Sequence, residues 1–215
     1  PMNPAPPVTS TRGGRCELMG SSSWSRGHEH VHRIAQPPEA DSIERPEGAK
    51  WADPIKEIGE VNFRADDAGY LPRGFGQVFT VPADGGAPRQ LTSGDFDHGG
   101  ALSWTPDSKT ILLSSNRSPD PDRQPLNSAI FALDAASGKL TRLTSRDGPD
   151  FQPAVSPDGK WVAYTGFDDR KLGYQNNQLW VMGIDGSSPR LVSGSLDRSI
   201  GTPRWAADGK AIYAD

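Results

Sequence analysis

Cysteine occurs once, at Cys16, so no disulfide can close within the chain and no redox compartment is implied. Charge of one sign is also missing. The 23 Lys and Arg are interspersed with 27 Asp and Glu for a formal net charge of -4, which excludes the basic stripe that a phosphate backbone requires. No run approaches the ~20 consecutive apolar residues of a membrane-spanning helix. Nucleic acid and the bilayer are therefore not expected partners. No charged-then-apolar leader follows Pro1, so no signal peptide is expected within this stretch. The compartment stays unassigned, with the cytoplasm slightly favoured over the periplasm. Helical patterning is scarce too: 24 Gly and 20 Pro against 34% apolar residues describe loops and short strands, hence an all-β fold.

What is present is repetition. "ALSWTPDSKTILLSS" (101–115), "QPAVSPDGKWVAYTG" (152–166) and "GTPRWAADGKAIYAD" (201–215) align on Asp107, Asp158 and Asp208, at steps of 51 and 50 residues. A large apolar residue precedes each turn (Trp104, Val155, Trp205), and the first matched core position after it is Ile111, Val162 or Ile212. A second pattern alternates with the first in "QVFTVPADGGAPRQLTSG" (77–94), "AIFALDAASGKLTRLTSR" (129–146) and "QLWVMGIDGSSPRLVSG" (178–194). Each has an aromatic (Phe79, Phe131, Trp180), a glycine-containing turn and a return strand ending in Leu-Thr or Leu-Val.

Turn chemistry explains the first pattern. In Ser156-Pro157-Asp158-Gly159 the proline presets φ at the second position, aspartate suits the third and glycine the fourth, giving a type I turn between antiparallel strands. Phe131 and Leu133 alternate with Ala132 at period two, as in strands packed between neighbouring sheets. Two hairpins per step make four strands, and a repeat of roughly 40 to 50 residues with four strands is a β-propeller blade. A β-sandwich also has many short strands, but it does not restate one motif at a fixed step. Residues 49–215 are thus expected to form a partial β-propeller, with two full blades and part of a third that ends inside a strand. Residues 1–48, rich in Pro, Gly and Ser and without blade signals, are expected to be a disordered or non-native linker-like arm.

The stretches from "VPADGGAPRQLTSGDFDHGG" through "LTRLTSRDGPDFQPAVSPDGKWVAYTGFDD" to "LGYQNNQLWVMGIDG" resemble the N-terminal propeller of the prolyl oligopeptidase superfamily of serine peptidases. The resemblance is strongest to the acylaminoacyl-peptidase and dipeptidyl-peptidase branch and covers about 49–215. The shared turn is also TolB-like, whereas "DFDHGG" (95–100) and "TGFDDRKLGYQNNQL" (165–179) resemble the peptidase propellers. The resemblance implies a non-catalytic, substrate-gating propeller over a C-terminal α/β-hydrolase domain that would act in cis on peptides. It implies no cofactor. The alternative is a TolB-like protein-binding propeller without catalysis.

No Gly-x-Ser-x-Gly elbow occurs in this sequence: Ser21 to Ser23 follow Gly20 but lead into Trp24, and Ser187 follows Gly186 without a second glycine. No residue is therefore expected to be catalytic. Asp95, Asp97, Asp168, Asp169 and Arg170 lie between blade strands, where they can meet a peptide's amine or carboxylate or simply cap turns. Asp97-His98 reads as a hydrogen-bonded surface pair. "HEHVH" matches His-Glu-x-x-His, which on a helix brings His28 and His32 to one zinc ion, with Glu39 as a guessed third ligand. Gly27 and Pro37-Pro38 leave little room for that helix, so chance metal binding is the better expectation.

Overall fold

The computed structural model describes residues 29–34, 47–50, 58–59, 61–67, 69–71, 74–82 and 85–215, and no helix occurs among them. In chain order come β1 (Glu29–Ile34), β2 (Arg64–Ala65), β3 (Gly69–Tyr70), β4 (Gln77–Pro82) and β5 (Arg89–Gln90). Then follow β6 (His98–Trp104), β7 (Thr110–Ser115), β8 (Ala129–Asp134) and β9 (Leu140–Arg142). The repeat returns as β10 (Asp150–Val155), β11 (Trp161–Gly166), β12 (Gln178–Gly183) and β13 (Arg190–Leu191), and opens again as β14 (Arg204–Trp205) and β15 (Ile212–Tyr213).

Two complete antiparallel sheets, β6-β7-β8-β9 and β10-β11-β12-β13, are the blades that the repeat announces. The sheet β1-β4-β5 precedes them and the β14–β15 hairpin follows. Part of the arm is thus a strand: the backbone of Glu29–Ile34 pairs antiparallel with β4, Glu29 opposite Pro82 and Ile34 opposite Gln77. The innermost strand of one blade, β10, touches β6 on one side and β14 on the other.

The aligned residues of the three turns are literal cross-strand partners: Trp104 opposite Ile111, Val155 opposite Val162, Trp205 opposite Ile212. Hydrogen bonds Ser108 N–H to Thr105 O, Gly159 N–H to Ser156 O and Gly209 N–H to Ala206 O, each 2.9 Å, close the three turns. The fourth turn position is left-handed each time, with φ of 58° at Ser108, 71° at Gly159 and 68° at Gly209. Glycine fits that conformation without a Cβ clash, which is why the motif ends on it.

The apolar residues that flank the three turns, with Phe131 and Trp180, face the preceding blade. Ile111, Phe131 and Trp104 pack with Val78 and Leu91. Val162, Val155 and Trp180 pack with Leu112 and Ile130, and Ile212 and Trp205 pack on Ala163 and Val181. The hydrophobic core is therefore a stack of layers between sheets, and each layer draws on two blades. In β7, Ile111 and Leu113 enter one layer while Leu112 enters the next, so that both faces of the strand are buried. Full burial of one such side chain stabilises by about 1.5–3 kcal/mol.

The second pattern carries a buried hydroxyl. Val78 N–H donates to Thr92 Oγ1 (2.8 Å), Ile130 N–H to Thr144 Oγ1 (3.0 Å) and Leu179 N–H to Ser193 Oγ (2.8 Å), always across 14 residues. The structural equivalents are therefore Leu91, Leu143 and Val192, so Leu191 is shifted by one from the leucine it resembles in sequence. Thr144→Val keeps the shape but leaves the Ile130 N–H buried without an acceptor. A loss of about 1–3 kcal/mol in urea denaturation is expected.

Both inner strands also break register at one place, between Gly99 and Ser103 in β6 and between Phe151 and Ala154 in β10. The left-handed residues there are Gly100 (φ 80°) and Gln152 (φ 54°), at equivalent positions of the two blades. A bulge of this kind bends the strand and re-aims its first residues.

Candidate functional site

Those first residues, His98 and Asp150, are both ionisable and both buried, with His98 1% exposed and Asp150 0%. Each meets an arginine, but from opposite sides of its strand. Arg117, just after β7, places Nη1 2.7 Å from His98 Nε2. Arginine only donates, so Nε2 accepts and the proton sits on Nδ1, 3.3 Å from Gly76 O. The guanidinium also lies 4.3 Å from the centre of the Phe96 ring.

Arg146, just before β10, pairs with the Asp150 carboxylate and stacks 4.1 Å over the Trp180 ring. Its Nε lies 3.5 Å from Asp168 Oδ1, so one guanidinium stands between two carboxylates. Asp150 Oδ2 and Arg146 Nη1 are buried without a hydrogen-bond partner among the described residues. Burial pushes the Asp150 carboxyl above its ordinary value, against the Arg146 charge. Burial, assisted by Asp150, pushes the neighbouring Tyr164 hydroxyl up to about 12.

Asp97 and His98 both turn to Gly76, and the Asp97 charge acts on the His98 ring from beside it. Asp97 Oδ1 accepts the Gly76 N–H at 2.7 Å, and His98 turns inward. The two residues expected to pair at the surface thus both hold Gly76, Asp97 from an exposed position through its N–H and His98 from a buried one beside its carbonyl.

Burial, followed by the Arg117 charge, lowers the His98 pKa below 6.5. The neutral ring is thus the folded form, while the unfolded chain takes up a proton below about pH 6.5. Its stabilising contribution is therefore present above that pH and lost as pH falls toward the folded value. The melting temperature is expected to drop between pH 7.5 and pH 5.5. His98→Gln, which retains a polar partner for Arg117 without titrating, should flatten that dependence.

The loop from Phe167 to Asn177 joins β11 to β12 and forms a cleft of about 510 Å³ with the stretch after β13. That volume lies within the range of small-ligand sites. Asp169 holds the loop together: its Oδ1 accepts the Lys171 N–H at 2.9 Å and Gln175 Nε2 at 3.4 Å, and Oδ2 pairs with Lys171 Nζ. The Lys171 hydrogen bonds hold the Asp169 carboxyl below the usual carboxylate range. Arg170 N–H is fixed by Gln175 Oε1 at 2.9 Å. Asn176 Nδ2 then donates to Asp197 Oδ1 at 3.2 Å, and Asn177 N–H to Ser199 Oγ at 3.2 Å, which ties the two walls together.

The five residues singled out from sequence separate accordingly. Asp168 and Arg170 line the cleft. Asp169, whose side chain is 7% exposed, supports the loop from behind. Asp95 and Asp97 belong to the loop before β6 and are not among the cleft residues. Arg146, Asp150, Tyr174 and Asp197 were not singled out from sequence. A sequence signal existed for one of them, since Asp150 stands 52 residues after His98 at the same point of the repeat.

For the zinc motif, Glu29 to His32 lie in an extended strand rather than a helix, and His28 lies outside the described residues. Among the described residues no group of three or more His, Cys, Asp or Glu is placed to hold a metal ion.

Residues 68–170 match the family model of the dipeptidyl peptidase IV N-terminal region. An uncharacterized protein of Agrobacterium fabrum is 32% identical over 120 residues, which is 55% of this chain and 36% of that protein. Dipeptidyl-peptidase 5 of Porphyromonas gingivalis is 28% identical over 131 residues, 59% of this chain and 18% of the relative. The chain thus spans a minor part of the relatives it matches. Among solved structures, a putative TolB from Agrobacterium tumefaciens superposes with a TM-score of 0.55 at 20% identity, covering 88% of this chain and 53% of that one. That likeness establishes the propeller fold.

Proposed function

We propose that this chain, whose residues 68–170 match the dipeptidyl peptidase IV N-terminal region, is the substrate-gating, non-catalytic portion of a serine peptidase of the prolyl oligopeptidase superfamily. Cleavage of peptides would be carried out by an α/β-hydrolase domain of the whole protein. The observation that carries this reading is the family match over 68–170, which takes in one whole blade and the inner hairpin of the next. A ring of blades placed over an active site admits peptides and excludes folded proteins. Asp168 and Arg170, on a rigidly tied loop at the cleft, are the residues assigned to meet the peptide.

The test is hydrolysis by the product of the whole gene. Aminopeptidase substrates should be cleaved, and a serine-directed fluorophosphonate should abolish the cleavage. Absence of hydrolysis, together with specific capture of a protein partner, would instead favour a TolB-like binding propeller, the second reading, which the superposition on the TolB structure motivates.

A further inference from the structure

Resting on the peptide-gating reading, we propose that the cleft beside the Phe167–Asn177 loop receives the lysine or arginine side chain of an extended peptide. Charge argues for this first. Two lining carboxylates, Asp168 and Asp197, face a single lining cation, Arg170. Arg146 offsets Asp168 only in part, because the same guanidinium also pairs with the buried Asp150. Asp197 accepts from the neutral Asn176 amide, which leaves its charge uncompensated.

Shape argues for it second. Tyr174, 76% exposed, presents an aromatic ring, and Leu172 and Leu196 are 61% and 50% exposed at the same cleft. An aromatic face beside carboxylates attracts a cation, and apolar walls accept the methylene stem of a long basic side chain. An α-amine has no such stem, and an anionic group would meet net negative charge. The Arg170 guanidinium is left to donate to a main-chain carbonyl of the peptide.

The probe is an N-acetylated, C-amidated alanine hexapeptide with one central lysine, compared with its norleucine counterpart, titrated calorimetrically into the 215-residue chain at low salt. The lysine peptide is expected to bind about tenfold tighter, with a preference that shrinks in higher salt. Asp197→Asn, which keeps the hydrogen bond at an exposed position, should remove most of that preference. Asp168→Asn should do the same, and Tyr174→Ala should weaken the lysine peptide more than the norleucine one. Equal affinities for the two peptides would overturn the inference while leaving peptide gating in place. A norleucine peptide with a free α-amine that binds as tightly as the capped lysine peptide would also overturn it, in favour of N-terminal recognition. No binding of any probe to the folded chain overturns it too, and the gating reading is then judged on hydrolysis by the whole gene product.

Discussion

Arg146→Met is expected to lower the unfolding free energy by about 3–5 kcal/mol, the range found when one member of a buried ion pair is removed. Asp150 is fully buried in a strand that packs on β7 and β8. Its own backbone carbonyl is already taken by Ser114 Oγ at 2.7 Å and Ser128 Oγ at 3.2 Å. The Thr144 hydroxyl, the other side chain that hydrogen-bonds the carboxyl, is neutral and does not replace the lost guanidinium charge. The paired variant Arg146→Met with Asp150→Leu removes both charges and should recover most of the stability, since buried ion pairs are often matched by apolar residues of similar volume. Urea denaturation of the single and paired variants measures both effects. A single variant within 1 kcal/mol of the parent, an upper bound for a typical exposed pair, would mean that the carboxyl is neutral in the folded protein.

Leu112→Ala is expected to cost about 2–5 kcal/mol, as large-to-small changes in packed cores do. The side chain is fully buried, in the layer that also holds Ile130 from its own blade and Val162, Tyr164 and Met182 from the next. A defect there weakens two sheets at once, so the variant should still unfold in one transition rather than shed a blade. A double-mutant cycle with Met182→Ala should show a coupling of about 0.5–3 kcal/mol across the two sheets. Additive losses would mean that the layers relax independently.

The turns were legible in the sequence because their chemistry is local. Pro157, Asp158 and Gly159 satisfy a type I turn within six residues, and the alternation of Phe131, Ala132 and Leu133 shows which face each side chain takes. The assignment of Leu191 slipped by one because it followed residue likeness, whereas the fixed 14-residue hydrogen bond selects Ser193. Arg146 could not be read in this way. Its role depends on Trp180, 34 residues later, and on Asp150 being turned inward by a bulge whose left-handed residue is Gln152 rather than glycine. The cleft was half legible: Asp168 and Arg170 sit in a loop whose length stands out, but Asp197 joins them only through folding. Composition alone did not distinguish Asp169, a loop brace, from the neighbours on either side of it.

The opposite placement of the two arginines bears on how the repeat can be shuffled. His98 finds Arg117 downstream of its strand, whereas Asp150 finds Arg146 upstream. A cassette cut at the first residue of β10 would carry a buried acid into its new setting without the counter-ion. Moved four positions earlier, the seam keeps the acid and base together, and the same phase applied to the blade before it, from 94 onward, keeps His98 with Arg117. The seams that preserve charge balance therefore lie in the stretch ahead of Arg146 and not at the strand boundary itself, and a blade exchanged at the first residue of its inner strand strands a charge that a slightly longer cassette would keep paired.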